Sequence, residues 1–232
     1  MGKGLLNKLV LQNLFEDVDG KDLLESLVAS GVITNKDIEG FLARKSNIKD
    51  GVLVRFDERD LDSEGEYLIP RDVKIIGNAA FEGCKKLTKV KLHNGVVEIR
   101  PNAFWECSNL ESVSMTDSVI GIGFNAFAYC VNLKDINLSS KVQIVKHSTF
   151  AACVRLENIK LPENLKRIEQ SAFYFCGELT DINIPKGLEY LDEEAFLETP
   201  IEKSVMREFK INRRLLEQSK GVNNRGEMLC KN

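Results

Sequence analysis

The chain has 232 residues, of which 43% are hydrophobic and 29% are charged, and its formal net charge is -3. This balance is typical of a folded protein and excludes an intrinsically disordered chain. The near-neutral charge also argues against a dedicated nucleic-acid binder, since such proteins carry a strong basic excess. No run of 18 apolar residues exists, so the sequence predicts no membrane span.

The N-terminal residues MGKGLLNKLVLQNLF do not have the pattern of a secretory signal peptide. Lys8 and Gln12 interrupt the apolar run, and no small-residue cleavage site follows. We therefore expect a cytoplasmic protein. The alternative is a cell-surface or secreted protein whose leader was removed or whose export is non-classical.

Residues 1–50 differ from the rest of the chain in the spacing of their apolar residues. The segments LLNKLVLQNLFEDV, DLLESLVASG and NKDIEGFLARK each place apolar residues at helical intervals. They predict an N-terminal helical module of two or three helices. Two roles stay open for this module: a cap on the domain that follows, or a separate partner-binding unit.

Residues 71–200 repeat with a period of 23 residues. In each repeat a small residue precedes a phenylalanine, and a cysteine, or threonine in the last repeat, follows it three positions later. The phenylalanines are Phe81, Phe104, Phe127, Phe150, Phe173 and Phe196. A fixed period with apolar residues in fixed columns predicts a solenoid, because each coil buries its apolar positions only by stacking on its neighbours.

Each coil is expected to contain two short extended segments and a corner. The pattern L-x-x-V-x-L, as in Leu87, Val90 and Leu92, ends in the alternation of a strand with one buried face. Val96 and Ile99 mark the second extended segment, and A-F-x-x-C is expected to form the corner as a single helical or 3₁₀ turn. Parallel strands of successive coils lie about 4.8 Å apart, so six coils should span about 30 Å.

Coils that read L-x-x-I-x-L and then V-x-x-I-x-x-x-A-F-x-x-C resemble the BspA-like class of leucine-rich repeats. The resemblance covers about residues 66–200. It implies a short-period leucine-rich solenoid. Together with the helical patterns at the two ends of the chain, the predicted fold is an α+β repeat solenoid of 23-residue period with parallel strands, an N-terminal helical cap module and a C-terminal capping helix. Members of that class are typically binding or adhesive proteins, many at microbial cell surfaces, so the resemblance implies protein binding or cell adhesion.

The solenoid is expected to occupy residues 51–200, with a degenerate first coil at about 51–70. Within it, VLVRF at 52–56 predicts a strand, and EYLIP at 66–70 aligns with the strands of later coils. The phenylalanine and cysteine of a regular coil are missing at the expected spacing. An exposed end of the solenoid could also pair with a second copy, so a homodimer stays open.

Residues 201–232 break the repeat and predict a capping helix followed by a tail. SVMREFKINRRLLEQSK has amphipathic spacing, with Val205, Phe209 and either Leu215 or Leu216 facing inward. Residues 202–232 contain eight basic and four acidic side chains. This excess leaves open a minority alternative, the binding of an anion or a nucleic acid by the basic helix.

The cysteines and histidines give no sign of a chemical site. Five of the six cysteines occupy one repeat column, and no C-x-x-C pair occurs. Free cysteine packs as a small hydrophobic residue, and Thr199 in the same column fits that role. His93 and His147 have no evident nucleophile or carboxylate partner in the sequence. We therefore predict no metal, no cofactor and no enzymatic activity.

Two surfaces remain as candidate partner-binding regions. Polar side chains should face outward from the predicted strands, and aromatic residues stand directly after the repeated phenylalanine in some coils only. The strand candidates are Lys89, Lys91, Asp135, Asn137, Lys160 and Asp181. The aromatic candidates are Trp105, Tyr129, Tyr174 and Phe175. Because Trp and Tyr are preferred interface anchors, we predict a non-enzymatic scaffold for an unidentified protein partner, and the alternative is a surface adhesin or exported host-interaction protein.

Overall fold

The computed structural model describes residues 28–32, 34, 47–58, 61 and 63–219, with side chains of the last helix described to residue 216. Most of the predicted N-terminal helical module, and the tail after residue 219, lie outside the described residues. In chain order the strands are β1 (Ile48–Lys49), β2 (Val52–Leu53), β3 (Glu66–Leu68), β4 (Ile75–Ile76), β5 (Lys89–Lys91), β6 (Glu98–Ile99), β7 (Ser112–Ser114), β8 (Gly121–Ile122), β9 (Asp135–Asn137), β10 (Ile144–Val145), β11 (Asn158–Lys160), β12 (Arg167–Ile168) and β13 (Tyr190–Leu191). One helix, α1 (Glu202–Ser219), follows them.

Strands β2 to β13 form two parallel ladders along a solenoid, as the repeat predicts, and β1 pairs antiparallel with β2. The three-residue strands pair in the order β11-β9-β7-β5-β3, and we call this set the long ladder. The two-residue strands form the short ladder, in two sheets, β1-β2-β4-β6-β8 and β10-β12-β13. Each residue pairs with the one 23 positions later, as Val90 does with Val113 and Ile76 with Ile99.

The repeated phenylalanines form a continuous stack through the core. The six repeated phenylalanines, Phe81 to Phe196, are each at most 1% exposed. The centroids of consecutive rings lie between 4.7 and 5.5 Å apart, with interplanar angles of 12° or less. This distance is close to the spacing of strands in a sheet, so one ring per coil fills the core without gaps.

The first coil also contributes a phenylalanine to the stack, so the prediction that it lacks one was wrong. Phe56 stacks on Phe81 at a centroid distance of 4.6 Å. Its N–H donates to the Ala80 carbonyl over 2.7 Å, as the Phe81 N–H does to Ala103. Phe56 follows Leu53 by three positions, whereas Phe81 follows Ile76 by five. The shorter corner in the first coil hides Phe56 from the 23-residue spacing.

The corner around each phenylalanine is built from turns, in place of the expected helical or 3₁₀ turn. Residues two before and two after the phenylalanine are left-handed in most coils, for example Asn125 at φ 53° and Tyr129 at φ 61°. The N–H groups of Phe127 and Tyr129 donate to the next coil, while the Ala128 N–H donates to Asn125 in its own coil. The corners therefore form a third set of hydrogen bonds between coils and hold each corner rigidly on the next.

Different structures cover the two ends of the solenoid. At the N-terminal end, β1 and β2 form an antiparallel hairpin across residue 50, the predicted domain boundary. Asp50 and Gly51 have positive φ at its turn, as a two-residue hairpin of right-handed twist requires. At the C-terminal end, α1 buries Val205 and packs Phe209 against the core, whereas Leu215 is 58% exposed.

The long ladder ends at β11, because Asp181–Asn183 do not form a strand in the last coil. The Asn183 side chain takes the place of strand backbone there. Its Nδ2 donates to the Leu161 carbonyl, and its Oδ1 accepts from the Leu161 N–H, each over 3.0 Å. One amide side chain thus satisfies both backbone groups of Leu161 that a further strand would have paired.

Candidate functional site

The corners of successive coils line up into a ridge, which we define as the positions one and two residues after each stacked phenylalanine. Inside the coil the columns are nearly uniform, but these two columns are not. The first column reads Glu82, Trp105, Ala128, Ala151, Tyr174 and Leu197. The second reads Gly83, Glu106, Tyr129, Ala152, Phe175 and Glu198. The structure brings the four aromatic residues predicted from the sequence onto this one ridge.

A groove of about 520 Å³ runs along the ridge and is lined by residues of five coils. Trp105 and Tyr174 stand near its two ends, and the small side chains of Ala128 and Ala151 lie between them. Trp105 and Tyr174 are three coils apart, which corresponds to about 14 Å at the spacing of parallel strands. The groove is therefore shallow in its middle and bounded by an aromatic ring toward each end.

The aromatic side chains of the groove are held against one another yet remain accessible. The rings of Trp105 and Tyr129 meet edge to face, with centroids 6.3 Å apart and planes at 88°. Tyr129 is 50% exposed, and Trp105 is partly buried. Farther along the ridge, Tyr174 and Phe175 are 39% and 48% exposed, with centroids 6.1 Å apart. Packing fixes these rings while leaving surface for a partner.

A row of small polar side chains borders the groove, and sequence reasoning missed it. Asn102, Asn125, Ser148 and Ser171 occupy the position two before the phenylalanine in successive coils and line the groove. Their backbones are left-handed, a conformation in which asparagine is enriched. The recurrence of short polar residues in that column was the available signal. These amides and hydroxyls give the groove hydrogen-bonding groups beside its aromatic rings.

The outward face of the long ladder carries most of the other predicted residues, and three of them contact side chains of neighbouring strands. Lys89 and Lys91 both contact Glu66, at 3.1 and 3.2 Å. These hydrogen bonds lower the pKa of the Glu66 carboxyl, and the same contact raises the pKa of Lys89. Asn158 donates to the Asp135 carboxylate over 2.9 Å.

The remaining strand candidates are exposed, and none of them lines the groove. Asn137 and Lys160 lie on the outward face of β9 and β11. Asp181 is exposed in the last coil, beyond the final strand of the long ladder. The sheet face and the groove are thus two separate surfaces, lined by different residues.

The cysteine column is structural. The thiols of Cys107, Cys130, Cys153 and Cys176 each donate to the phenylalanine carbonyl of the preceding coil, over 3.0 to 3.2 Å. All four are fully buried. Burial raises the pKa of Cys176 to about 12 and raises those of the other three as well. Such thiols stay protonated at neutral pH and cannot act as nucleophiles, since the thiolate is the reactive form.

Helix α1 presents a third surface on its outer side. Lys203, Arg207, Lys210 and Arg214 line one shallow depression of about 570 Å³, together with Met206 and Ile211. Their spacing of three or four residues places the cations on one side of the helix. Glu202 lies beside them, so the surface is basic but not exclusively so. In the described part of the chain, no helix is long and apolar enough to cross a membrane.

Comparisons with known proteins support this architecture. A family model of the BspA type leucine rich repeat region matches the chain in six copies, over residues 65–153 and 97–222. No curated protein matches the chain.

Chains of known structure share the fold over part of their length. A leucine rich repeat protein from T. pallidum is 23% identical with a TM-score of 0.54, and the match covers 67% of this chain and 91% of that one. A leucine-rich repeat protein from Eubacterium ventriosum is 22% identical with a TM-score of 0.52, covering 65% of this chain and 47% of that one. A leucine rich cell surface protein from Faecalibacterium prausnitzii is 31% identical with a TM-score of 0.48, covering 58% and 45%. The match therefore spans less than half of two of these three proteins.

Proposed function

Because the chain belongs to the BspA type leucine rich repeat family, we propose that it is a non-enzymatic scaffold that binds a protein partner in the groove between Trp105 and Tyr174. The interior of each coil is filled by the packed side chains of the repeat columns, so a partner can contact only the outer surface. The groove is a surface on which exposed aromatic rings lie beside the polar side chains of Asn102, Asn125 and Ser171.

The observation that carries this proposal is the placement of large aromatic residues where the fold does not favour them. Tyr129 and Phe175 have left-handed backbones, at φ 61° and 57°, and are about half exposed. A bulky residue is an outlier in that conformation, which costs on the order of 1 kcal/mol or more. Gly83 occupies the same column in an earlier coil, so the turn accepts glycine. The stability of the turn does not favour these two aromatic residues, and this supports a role for them in binding a partner.

The rigidity of the ridge suits it to recognition. Hydrogen bonds join each corner to the next, as from Tyr129 to Ala151 over 2.8 Å and from Ala152 to Tyr174 over 2.7 Å. Side chains held in place before binding lose little conformational entropy when the partner arrives. Tryptophan and tyrosine at the centre of such a patch are the residues that most often dominate binding energy.

The sheet face is the weaker candidate for the main contact. Lys89 and Lys91 already share Glu66, and Asp135 already binds Asn158. A partner would have to compete with these contacts, and exposed ion pairs contribute only about 0–1 kcal/mol each. We expect these polar side chains to add little to the affinity for the partner. They are Lys89, Lys91, Asp135, Asn137, Lys160 and Asp181.

The proposal includes a location at the cell surface or outside the cell. Many members of this family are surface proteins, whereas the expectation of a cytoplasmic location rested on the absence of a clear leader at the start of the given sequence. Protease treatment of intact cells tests the location: cleavage of the native protein is expected, with a cytosolic protein as the internal control. Full protection in intact cells, followed by cleavage after lysis, would contradict it.

A comparative pull-down tests the groove. Wild-type protein and a Trp105→Ala, Tyr129→Ala double variant are used as baits in the native extract, and recovered proteins are quantified by mass spectrometry. The matched control is Ser112→Ala, Ser114→Ala, which alters the sheet face alone. A genuine partner is recovered by the wild type and the control and lost from the aromatic variant. Equal recovery of every protein by all three baits would refute binding in the groove.

The basic side of α1 supports a second candidate, binding of an anion or a nucleic acid. Lys203, Arg207, Lys210 and Arg214 lie on one exposed side of the helix. Phosphate contacts make affinity fall steeply with salt. Retention on heparin that weakens with salt and disappears when all four residues are changed to alanine would support this candidate. Lack of retention at low salt would exclude it.

A further inference from the structure

We infer that the groove takes an extended segment of the partner that carries two arginine or lysine side chains, one over Trp105 and one over Tyr174. This inference rests on the proposed function, because it names the kind of segment that the same groove would bind. Three observations support it: the charge of the ridge, the exposed aromatic faces and the distance between them.

The charge of the ridge is entirely negative. Its positions contain no lysine or arginine, but they contain Glu82 and Glu106 near Trp105, and Glu198 one coil beyond Phe175. Among residues 47–58, 61 and 63–216, none of these three carboxylates has an ion-pair partner. A nucleic acid or an acidic segment would meet repulsion here, whereas a cationic segment would find complementary charge at the Trp105 end, where Glu82 lines the groove, and on the ridge beyond Tyr174, where Glu198 lies.

The aromatic faces favour the same chemistry. A guanidinium or ammonium group over a tryptophan or tyrosine ring is attracted by the ring's negative face, and arginine takes this position most often. The molecule already contains one such pair at another site, with the Arg167 guanidinium 4.5 Å from the centroid of the Tyr190 ring. Tyr129 and Tyr174 are exposed without a cation over them in the described residues. The groove therefore offers open aromatic faces next to unpaired carboxylates.

The distance between the two ends sets the spacing of the cations. Three coils separate Trp105 from Tyr174, which is about 14 Å. An extended chain advances about 3.3 Å per residue, so residues four apart span about 13 Å and point to the same side. The residue between them would face Ala128 and Ala151, where a small side chain fits. The matching pattern is Arg-x-small-x-Arg, with Asn125 and Ser171 available to hydrogen-bond the segment's backbone.

Trp105 provides the readout, because it is the single tryptophan of the chain. The full chain is titrated with the capped peptide Gly-Arg-Gly-Ala-Gly-Arg-Gly while tryptophan emission is followed. One control peptide has glutamine in place of both arginines, and a second has the two arginines adjacent. We expect a saturable emission change with the first peptide, little with the glutamine peptide, and weaker binding with the adjacent-arginine peptide.

Charge variants separate this inference from the proposed function. In Glu82→Gln, Glu106→Gln both aromatic rings remain, and affinity for the arginine peptide should fall about fivefold, as expected for the loss of two exposed ion pairs. Raising the salt concentration should weaken the wild-type complex in the same direction.

Two outcomes would contradict the inference that the groove binds a basic segment. One is no emission change up to millimolar peptide, which marks the weak limit of specific binding. The other is equal binding of the arginine and glutamine peptides, which would indicate a neutral ligand. If partners recovered by the wild type are lost from Trp105→Ala, Tyr129→Ala but kept by Glu82→Gln, Glu106→Gln, the proposed function stands and the basic segment is rejected.

Discussion

Phe127 and Tyr129 lie two residues apart in one corner, yet the columns to which they belong follow different rules. The phenylalanine column is identical in six coils, fully buried and stacked ring on ring. The tyrosine column contains glycine, glutamate, alanine, tyrosine and phenylalanine in different coils. An interior side chain contacts its own copies in the coils on either side, so each coil must present the same shape. The larger ridge side chains reach solvent, whereas Ala128, Ala151 and Ala152 are buried, so stability places less constraint on the large ridge side chains.

The contrast teaches where to look for function in a repeat protein. Uniform columns report how coils stack, and departures from uniformity on an exposed column report something that stacking does not need. Trp105, Tyr129, Tyr174 and Phe175 are such departures. The structure places all four on one ridge, and the first three of them line the groove.

Alkaline pH should have the largest effect, because it acts on the whole cysteine column at once. The buried thiols have raised pKa values in the folded protein, so they remain protonated when the thiols of the unfolded chain ionise. Stability from these groups is fully present below the unfolded pKa of about 8.5 and is lost as pH rises above it. Four such thiols give a slope of about 5 kcal/mol per pH unit above pH 9.

Urea denaturation between pH 8 and pH 11 measures this slope. Lysine and tyrosine titrate in the same range, so the informative comparison is the wild type against Cys130→Ala, which should lose one thiol's share of the slope, about 1.4 kcal/mol per pH unit. Identical slopes in the two proteins would show that ionisation of the buried cysteines does not control alkaline stability.

The phenylalanine stack should show the largest effect of a single substitution. Phe127→Ala removes a ring that lies 5.1 Å from Phe104 and 5.5 Å from Phe150, and it leaves a cavity in the middle of the core. We expect the free energy of unfolding to fall by about 3–5 kcal/mol. Phe124→Ala is the matched control, since Phe124 is exposed three residues earlier and should change stability by less than about 1 kcal/mol. Similar losses in both variants would contradict the distinction between core and surface.

Phe56 tests whether the first coil belongs to the stack. Its ring contacts both Phe81 and Tyr67, at 4.6 and 4.8 Å, but it is only partly buried at the end of the core. Phe56→Ala should therefore lower the free energy of unfolding by about 2 kcal/mol, less than the change at Phe127. Val54→Ala, at an exposed position nearby, is the control. If Phe56→Ala lowers the free energy of unfolding no more than Val54→Ala does, Phe56 does not contribute to the stack.

Much of the fold could be predicted from the sequence because the coils contact copies of themselves. A column such as Val90 and Val113 is visible in the sequence and pairs in the structure with the same 23-residue offset. Features that do not recur every 23 residues could not be predicted from the period. The place of Phe56 in the stack was not predicted, because the first corner is two residues shorter than the others. Strand β1 was not predicted, because an antiparallel hairpin adds a strand outside the repeat.

The left-handed backbone conformation of the corners was not predicted, for a different reason. Glycine is the usual signal of positive φ, but Asn102, Glu106 and Ser148 take that conformation here, and glycine does so only at Gly83 among the ridge columns. Backbone hydrogen bonds to the next coil hold these residues in place, and such bonds are invisible in a sequence. The aromatic residues of the groove could be selected as departures from the repeat. The polar row along the groove and its alanine floor required the coils to be stacked in space.

Tyr129→Gly gives the smallest expected change in stability and the sharpest test of the contrast. The substitution removes a half-exposed ring and relieves the left-handed strain of a bulky residue, while glycine makes the unfolded chain more flexible. These effects oppose each other, so the free energy of unfolding should stay unchanged or rise by up to about 1 kcal/mol. Binding should nevertheless fall, because Trp105 loses the ring that packs against it and the groove loses one of its walls. Urea denaturation and the pull-down on the same variant measure the two quantities together. A loss of more than about 2 kcal/mol would place Tyr129 among the residues that stabilise the core. Retained binding would mean that the variation along the ridge is unrelated to the partner.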